Sequence, residues 1–149
     1  MSENILAKIV AHKRVEVEAR KQQISNQVLE AMPLFTLPAT SLKTNLLDPA
    51  QTGIIAEFKR QSPSKGVINN TASVAEVTKA YTTYGAAGIS VLTDQQFFGG
   101  HLDDLSIAVQ NDIPVLRKEF IIDEFQIIEA KSFGASVILL IAADRKSVV

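Results

Sequence analysis

The sequence predicts an α/β fold built on a parallel sheet, and three observations carry that prediction. Four short apolar runs rich in β-branched residues follow one another from Gly53 onward. Amphipathic helical patterns separate them, and turn or capping residues stand at their joints. The runs are Ile54–Phe58, Gly88–Leu92, Ile113–Leu116 and Ser136–Ile141. Their near-continuous apolar character suits strands buried on both faces. Of the intervening helices, Thr71–Tyr84 places Val74, Val77, Tyr81 and Tyr84 on one stripe, with Ser73 and Glu76 at capping-box spacing and Gly85 as the stop. Asp123–Phe133 repeats the design with Asp123, Gln126 and Gly134, and a shorter helix is expected around Asp103–Gln110. No G-x-G-x-x-G or P-loop follows the first run, so periodicity leaves a doubly wound sheet open but gives its nucleotide-binding form no support.

Ahead of the sheet, Ile5 to about Arg20 reads as an amphipathic helix. Ile5, Leu6, Ile9, Val10 and Val17 form its apolar face, and Lys8, Lys13, Arg14 and Glu18 lie largely around the other. Residues 23–52, punctuated by Pro33, Pro38 and Pro49, read as a wrapping segment with one short helix.

Composition narrows the function classes. The 15 Lys+Arg against 16 Asp+Glu leave a formal charge of −1, which offers no polybasic footprint for nucleic acid or membrane. Cysteine is absent, which excludes disulfides, thiolate metal sites and a cysteine nucleophile. The N-terminus is charged throughout and no apolar run approaches membrane-spanning length, so the expected compartment is the cytoplasm.

Two segments concentrate chemistry. In IIAEFKRQSPSKG (residues 54–66), strand alternation puts Glu57 and Lys59 on one face and Phe58 on the other, at the C-terminal end of the run. That end carries the active site in a (β/α)8 barrel; an ion pair closing a strand is the plain alternative. In IPVLRKEFIID (residues 113–123), Lys118 ends the third run and Glu119 and Phe120 start the loop beyond. A lysine so placed can be partly desolvated, with a lowered pKa that suits a general acid. A snorkelling surface lysine is the commoner alternative.

AEFKRQSPSKG (56–66), SVLTDQQFFGG (90–100) and PVLRKEFIIDEFQIIEAKSFGASVILLI (114–141), preceded by ILAKIVAHKRVEVEARKQ, together resemble the indole-3-glycerol-phosphate synthases over residues 4–142, in order and at that family's spacing. The resemblance implies the first half of a (β/α)8 (TIM) barrel, residues 53–143, behind an N-terminal helical extension, residues 1–52. It implies ring closure of 1-(2-carboxyphenylamino)-1-deoxyribulose 5-phosphate with loss of carbon dioxide and water, without metal or organic cofactor. By match, Lys118 takes the place of the general acid at the substrate ketone. Lys59 takes that of a lysine that contacts substrate anions and donates a proton in dehydration, and Glu57 that of the glutamate that orients both lysines. Ser62, Pro63, Phe98, Phe120, Leu139 and Arg60 fall on substrate-binding positions: the two phenylalanines would enclose the anthranilate ring and Leu139 would line the site. Core packing is the alternative for the phenylalanines, and a structural ion pair for Arg60. His12 and His101 gain no role. Phosphoribosylanthranilate isomerase and the tryptophan synthase α-subunit share the architecture, but the SPSKG and RKEF segments do not look like either.

The sequence also departs from the family. Such barrels run to roughly 250 residues, and the strand-five glutamate, the strand-six asparagine and the phosphate-holding loops after strands seven and eight have no counterpart here. Residues 144–149, DRKSVV, replace the expected fourth helix and read as a non-native tail, the in-frame translation of a sequencing adapter. As given, the chain is therefore expected to be inactive alone and to self-associate through its open sheet edges; a non-catalytic assembly or binding module is the alternative. Resequencing the locus should run the family pattern on past Ala143, and a genuine stop codon after Val149 would contradict the adapter origin.

Overall fold

The computed structural model describes residues 4–142, so the expected tail at 144–149 lies outside the described residues. Helix α1 (Ile5–Gln23) is capped by the Asn4 side chain, which accepts from Leu6 N at 3.0 Å. The wrapping segment holds more structure than its prolines predict. Helix α2 (Asn26–Glu30), a 3-10 turn (Pro33–Thr36) and helix α3 (Leu42–Leu47) follow α1. Ser25 and Ser41 cap the two helices by accepting from Val28 N and Thr44 N. These serine caps, rather than an apolar period, are what start such short helices.

Strands β1 (Ile55–Phe58), β4 (Gly88–Leu92), β5 (Val115–Lys118) and β6 (Val137–Ile138) form one parallel sheet in the order β1-β4-β5-β6. Each strand thus pairs with the next in the sheet, without the order reversal of a doubly wound sheet. Helices α4 (Val74–Thr83), α6 (Asp103–Ala108) and α7 (Phe125–Ser132) make the crossovers. Parallel strands paired in chain order with a helix between each pair are the pattern of successive units of a (β/α)8 barrel. The loop after β1 folds back as a small hairpin, β2 (Gln61–Ser62) with β3 (Gly66–Val67), and Gly66 takes a φ of +65° at its turn. Helix α5 (Gln95–Phe98), after β4, was not anticipated; Asp94 starts it by accepting from Phe97 N at 2.7 Å.

The predicted stops are present. Gly85 and Gly134 have φ values of +85° and +89°. After α4, Gly85 N reaches Thr82 O and Ala86 N reaches Tyr81 O; after α7, Gly134 N reaches Lys131 O and Ala135 N reaches Ala130 O. Both are Schellman closures, which return the chain to the next strand within a few residues. At the start of α7, Gln126 Oε1 accepts from Asp123 N at 3.1 Å while Asp123 Oδ1 accepts from Phe125 N at 2.8 Å.

The core lies between the sheet and its helices, where Ile89, Val91, Val115, Leu105, Ala108, Ala130 and Ala135 are buried. A second cluster of Val17, Leu29 and Phe125 seats the N-terminal extension on α7. Burial on both faces holds only for β4, which is buried at every residue. On β1 and its approach Ile54 and Ile55 are 59% and 40% exposed, and Leu140 is 48% exposed, because these strands bound the sheet and no further strand among the described residues covers them. Tyr84, expected on the apolar stripe of α4, is exposed, and Thr78 takes the buried place instead. Among the described residues no helix is long and apolar enough to cross a membrane.

Leu105 has no exposed surface, so Leu105→Ala should cost about 2–5 kcal/mol. Ile54→Ser, at an exposed position, should stay within about 0.5 kcal/mol. Urea midpoints of the two variants check the contrast.

Candidate active site

In the parallel register, Glu57 stands level with Ser90, Ser90 with Leu116, and Leu92 with Lys118. Level residues leave the sheet on the same side, and alternate residues on opposite sides. Glu57, Lys59, Ser90, Leu92, Lys118 and Leu139 therefore share the face turned away from the helices. Phe58, Ile89, Val91, Val115 and Arg117 face the helices and are buried.

The charged groups meet at the C-terminal ends of the strands. Glu57 Oε2 accepts from Lys118 Nζ at 2.9 Å and from Ser90 Oγ at 3.3 Å, while Glu57 Oε1 lies 3.3 Å from Lys59 Nζ. One carboxylate thus bridges two ammonium groups. Burial pushes the Glu57 carboxyl up, but the hydrogen bond and charge of Lys118, then those of Lys59, outweigh it and hold the group below its ordinary value of 4.5. The Lys118 side chain is 38% exposed, less desolvated than its place at a strand end suggested. The Tyr81 hydroxyl donates to the Glu57 carbonyl oxygen at 3.0 Å, which ties α4 to the end of β1.

Glu57, Lys59, Lys118, Phe98, Phe120 and Leu139 line one cavity of about 140 Å³, closed further by Leu92, Glu119 and Ile141. The Phe98 and Phe120 rings lie 6.2 Å apart at 35°, so both wall the cavity and neither is buried in the core. Ser62 and Pro63 lie outside it. They line a neighbouring groove of about 610 Å³ that runs under Ile5 and Ile9 of α1 and shares Lys59 and Phe98 with the cavity. Arg60 lines neither space. Its guanidinium grips Asp104 with two hydrogen bonds of 2.5 and 3.1 Å, reaches Gly99 O at 3.3 Å and stacks 4.9 Å from the Phe58 ring centroid. Of the two readings open for Arg60, the geometry matches the structural ion pair. His12 sits edge-on to Phe97 at 5.6 Å and 3.8 Å from Glu16, and the exposed His101 donates its backbone N–H to Asp104.

A group the sequence reading missed stands behind this site. Lys13, placed there on the polar face of α1, is fully buried. Its Nζ lies 2.8 Å from Glu16, 2.7 Å from Asp94 and 3.3 Å from Glu119. Glu119, expected in the loop, is only 3% exposed. Its Oε1 accepts from Phe120 N at 2.9 Å and its Oε2 from Thr93 Oγ1 at 2.9 Å. Arg117 extends the set, donating from Nε to Thr93 and from Nη1 to Gln126 O, with Nη2 2.9 Å from Glu129. Arg20 of α1 closes it on Glu129 at 2.6 Å. The available signal was the spacing Ile9–Lys13–Val17, one stripe at intervals of four whose outer two members are buried.

The family model described as indole-3-glycerol phosphate synthase matches residues 6–146. The chain belongs to the indole-3-glycerol phosphate synthase family. Curated relatives of that name agree. The protein of Bacteroides thetaiotaomicron is 46% identical over 144 residues, covering 96% of this chain and 55% of the relative. Those of Syntrophobacter fumaroxidans and Legionella pneumophila are 43% and 46% identical, covering 93% and 94% of the chain and 53% and 54% of the relatives. The chain thus spans about half the length of the relatives it matches. Family membership makes the four-stranded parallel sheet part of a TIM barrel, a fold whose active sites lie at the C-terminal strand ends.

The bridging carboxylate sets the pH response. A depressed folded-state pKa contributes stability that is present above the ordinary value of 4.5 and is lost as pH falls through the lower, folded value. In carbon-detected NMR titration Glu57 should titrate below 4.5. In Lys118→Met it should titrate higher than in the unaltered chain, because the largest opposing charge is gone and the burial remains.

Proposed function

We propose that the chain supplies the proton-donating part of an indole-3-glycerol phosphate synthase active site. The substrate would be 1-(2-carboxyphenylamino)-1-deoxyribulose 5-phosphate, a phosphorylated small molecule. The observation that carries the proposal is the Glu57 carboxylate between Lys118 and Lys59 at the mouth of an aromatic-walled cavity. The names of the relatives supply the reaction class.

The chemistry asks for what these groups offer. Ring closure joins the ring carbon that bears the carboxylate to the ketone carbon. The ketone oxygen must gain a proton as its double bond opens, and the Lys118 ammonium is the donor assigned to it. Carbon dioxide then leaves and its bonding pair restores the aromatic ring. Dehydration removes the new hydroxyl as water, for which Lys59 is the assigned proton donor, while the methylene carbon beside the ring nitrogen gives up a proton whose bonding pair forms the indole double bond. Glu57 holds both ammonium groups on one side of the cavity, and being held ionised it can take up a proton between steps. Phe98 and Phe120 receive the anthranilate ring, Leu139 completes the apolar lining, and Ser62 and Pro63 border the approach through the adjoining groove. Arg60 acts at a distance, holding the loop after β1 against Asp104 of α6.

A second reading, an assembly module, draws on the exposed Ile54, Ile55 and Leu140 along the sheet boundaries. Such boundaries recruit other strands, and the 149-residue chain should self-associate. Sedimentation showing a monodisperse monomer with a cooperative melt would contradict that.

Joined to the C-terminal half of a relative, the chain should form indole-3-glycerol phosphate, followed by indole fluorescence, whereas the 149-residue chain alone should not. Lys118→Ala in the joined protein should lower kcat by at least about 10²-fold. A folded, inactive joined protein would overturn the synthase reading in favour of the module.

A further inference from the structure

Lys13 is a buried cation that the proposed chemistry does not use, on a helix outside the barrel. Its contacts lead to both aromatic walls. Asp94, 2.7 Å from Lys13 Nζ and without exposed surface, is the N-cap of α5, the helix that carries Phe98. Its Oδ2 accepts from Phe97 N, and its backbone oxygen accepts from Gly100 N at 2.8 Å, so one residue pins both ends of α5. The Oδ1 facing Lys13 is buried and has no hydrogen bond of good angle, so the nearby ammonium is its charge partner. Glu119, 3.3 Å from the same ammonium, stands between Lys118 and Phe120 in the chain and accepts the Phe120 N–H. Burial pushes Lys13 down, but the carboxylates of Glu119, Asp94 and Glu16 outweigh it and keep the ammonium charged. The edge-on contact of His12 with Phe97 adds a second tie from α1 to α5.

We propose that Lys13 is a positioning residue of the active site. Its ammonium joins the cap of α5 to the Glu119 carboxylate and so sets the gap between Phe98 and Phe120. The N-terminal helix is then part of the device that admits the substrate's aromatic ring. This rests on the synthase reading for the nature of the ring, while the spacing of the two walls can be read without it. The competing explanation is that Lys13 only balances buried carboxylates. In that case removing one opposing charge along with it would restore everything. Asp94→Asn is suited to this, since its amide oxygen can still cap α5.

The test uses the 149-residue chain labelled with 4-fluorophenylalanine. Its Phe98 and Phe120 fluorine lines are assigned with Phe98→Leu and Phe120→Leu, and Phe35 and Phe133 serve as controls. Lys13→Met should lower the melting temperature by several degrees and shift the Phe98 and Phe120 lines beyond their widths, with the controls in place. In Lys13→Met/Asp94→Asn the melting temperature should recover while the two lines stay shifted. In the joined protein the double variant should raise KM roughly tenfold with kcat changed less than about threefold. Unmoved lines, or lines and KM restored together with the melting temperature, would overturn the proposal. If Lys13→Met alone loses all dispersed lines, the double variant decides by the same criteria. Shifted lines in a joined protein that forms no product would leave the positioning role standing and sink the synthase reading instead.

Discussion

Residues level with one another on adjacent parallel strands leave a sheet on the same side, and every charged group of this site depends on that constraint. Glu57 is level with Ser90, and Lys118 with Leu92 one step further along the sheet. A slip of one residue in β5 would send Lys118 into the helix layer and turn Arg117 toward the cavity. Register is held where slippage would be most expensive. The helix-side residues Ile89, Val91 and Val115 are buried to 1% exposure or less, and a slip in β4 would put Ser90 in the place of Ile89 or Val91. Packing on one face of the sheet therefore fixes chemistry on the other.

The same alternation explains why a second charged layer exists. Three consecutive ionisable residues, Arg117, Lys118 and Glu119, close β5. If Lys118 faces the cavity, its two neighbours must face the helices, where water is excluded and each charge needs a partner. Arg117 finds Glu129 on α7, and Glu119 finds Lys13 on α1. Burial is the main influence on Glu119 and pushes its carboxyl up, with Lys13 and Arg117 pulling the other way. The N-terminal extension thus supplies charges that the barrel half cannot provide for itself. Its seat on α7 through Val17, Leu29 and Phe125 keeps them there.

Legibility in the sequence followed local physics. The strand–helix alternation, the Gly85 and Gly134 stops and the Ser73 cap depend on neighbours a few residues apart, and they are where the pattern put them. The shared face of Glu57 and Lys59 needed only the period of a strand. Contacts far apart in the chain were not legible in the same way. Lys13 looked like a solvated helix charge because its two buried partners, Asp94 and Glu119, lie some eighty and one hundred residues away, although Ile9 and Val17 marked its stripe. Arg60 looked like part of the site through its place beside Lys59, yet the alternation that brings Lys59 inward turns Arg60 toward Asp104. The two-faced burial expected of all four strands failed at Ile54, Ile55 and Leu140, since burial depends on the whole sheet and not on one run.

The central claim is that one carboxylate presents two ammonium groups to a ring held between Phe98 and Phe120. Its most direct test is a crystal structure of the joined protein with a substrate analogue whose ketone is reduced to an alcohol. The account predicts the analogue's aromatic ring between Phe98 and Phe120, with its alcohol oxygen within hydrogen-bond distance of Lys118 Nζ. An analogue bound with that oxygen away from Lys118, or with its ring outside the two phenylalanines, would contradict it.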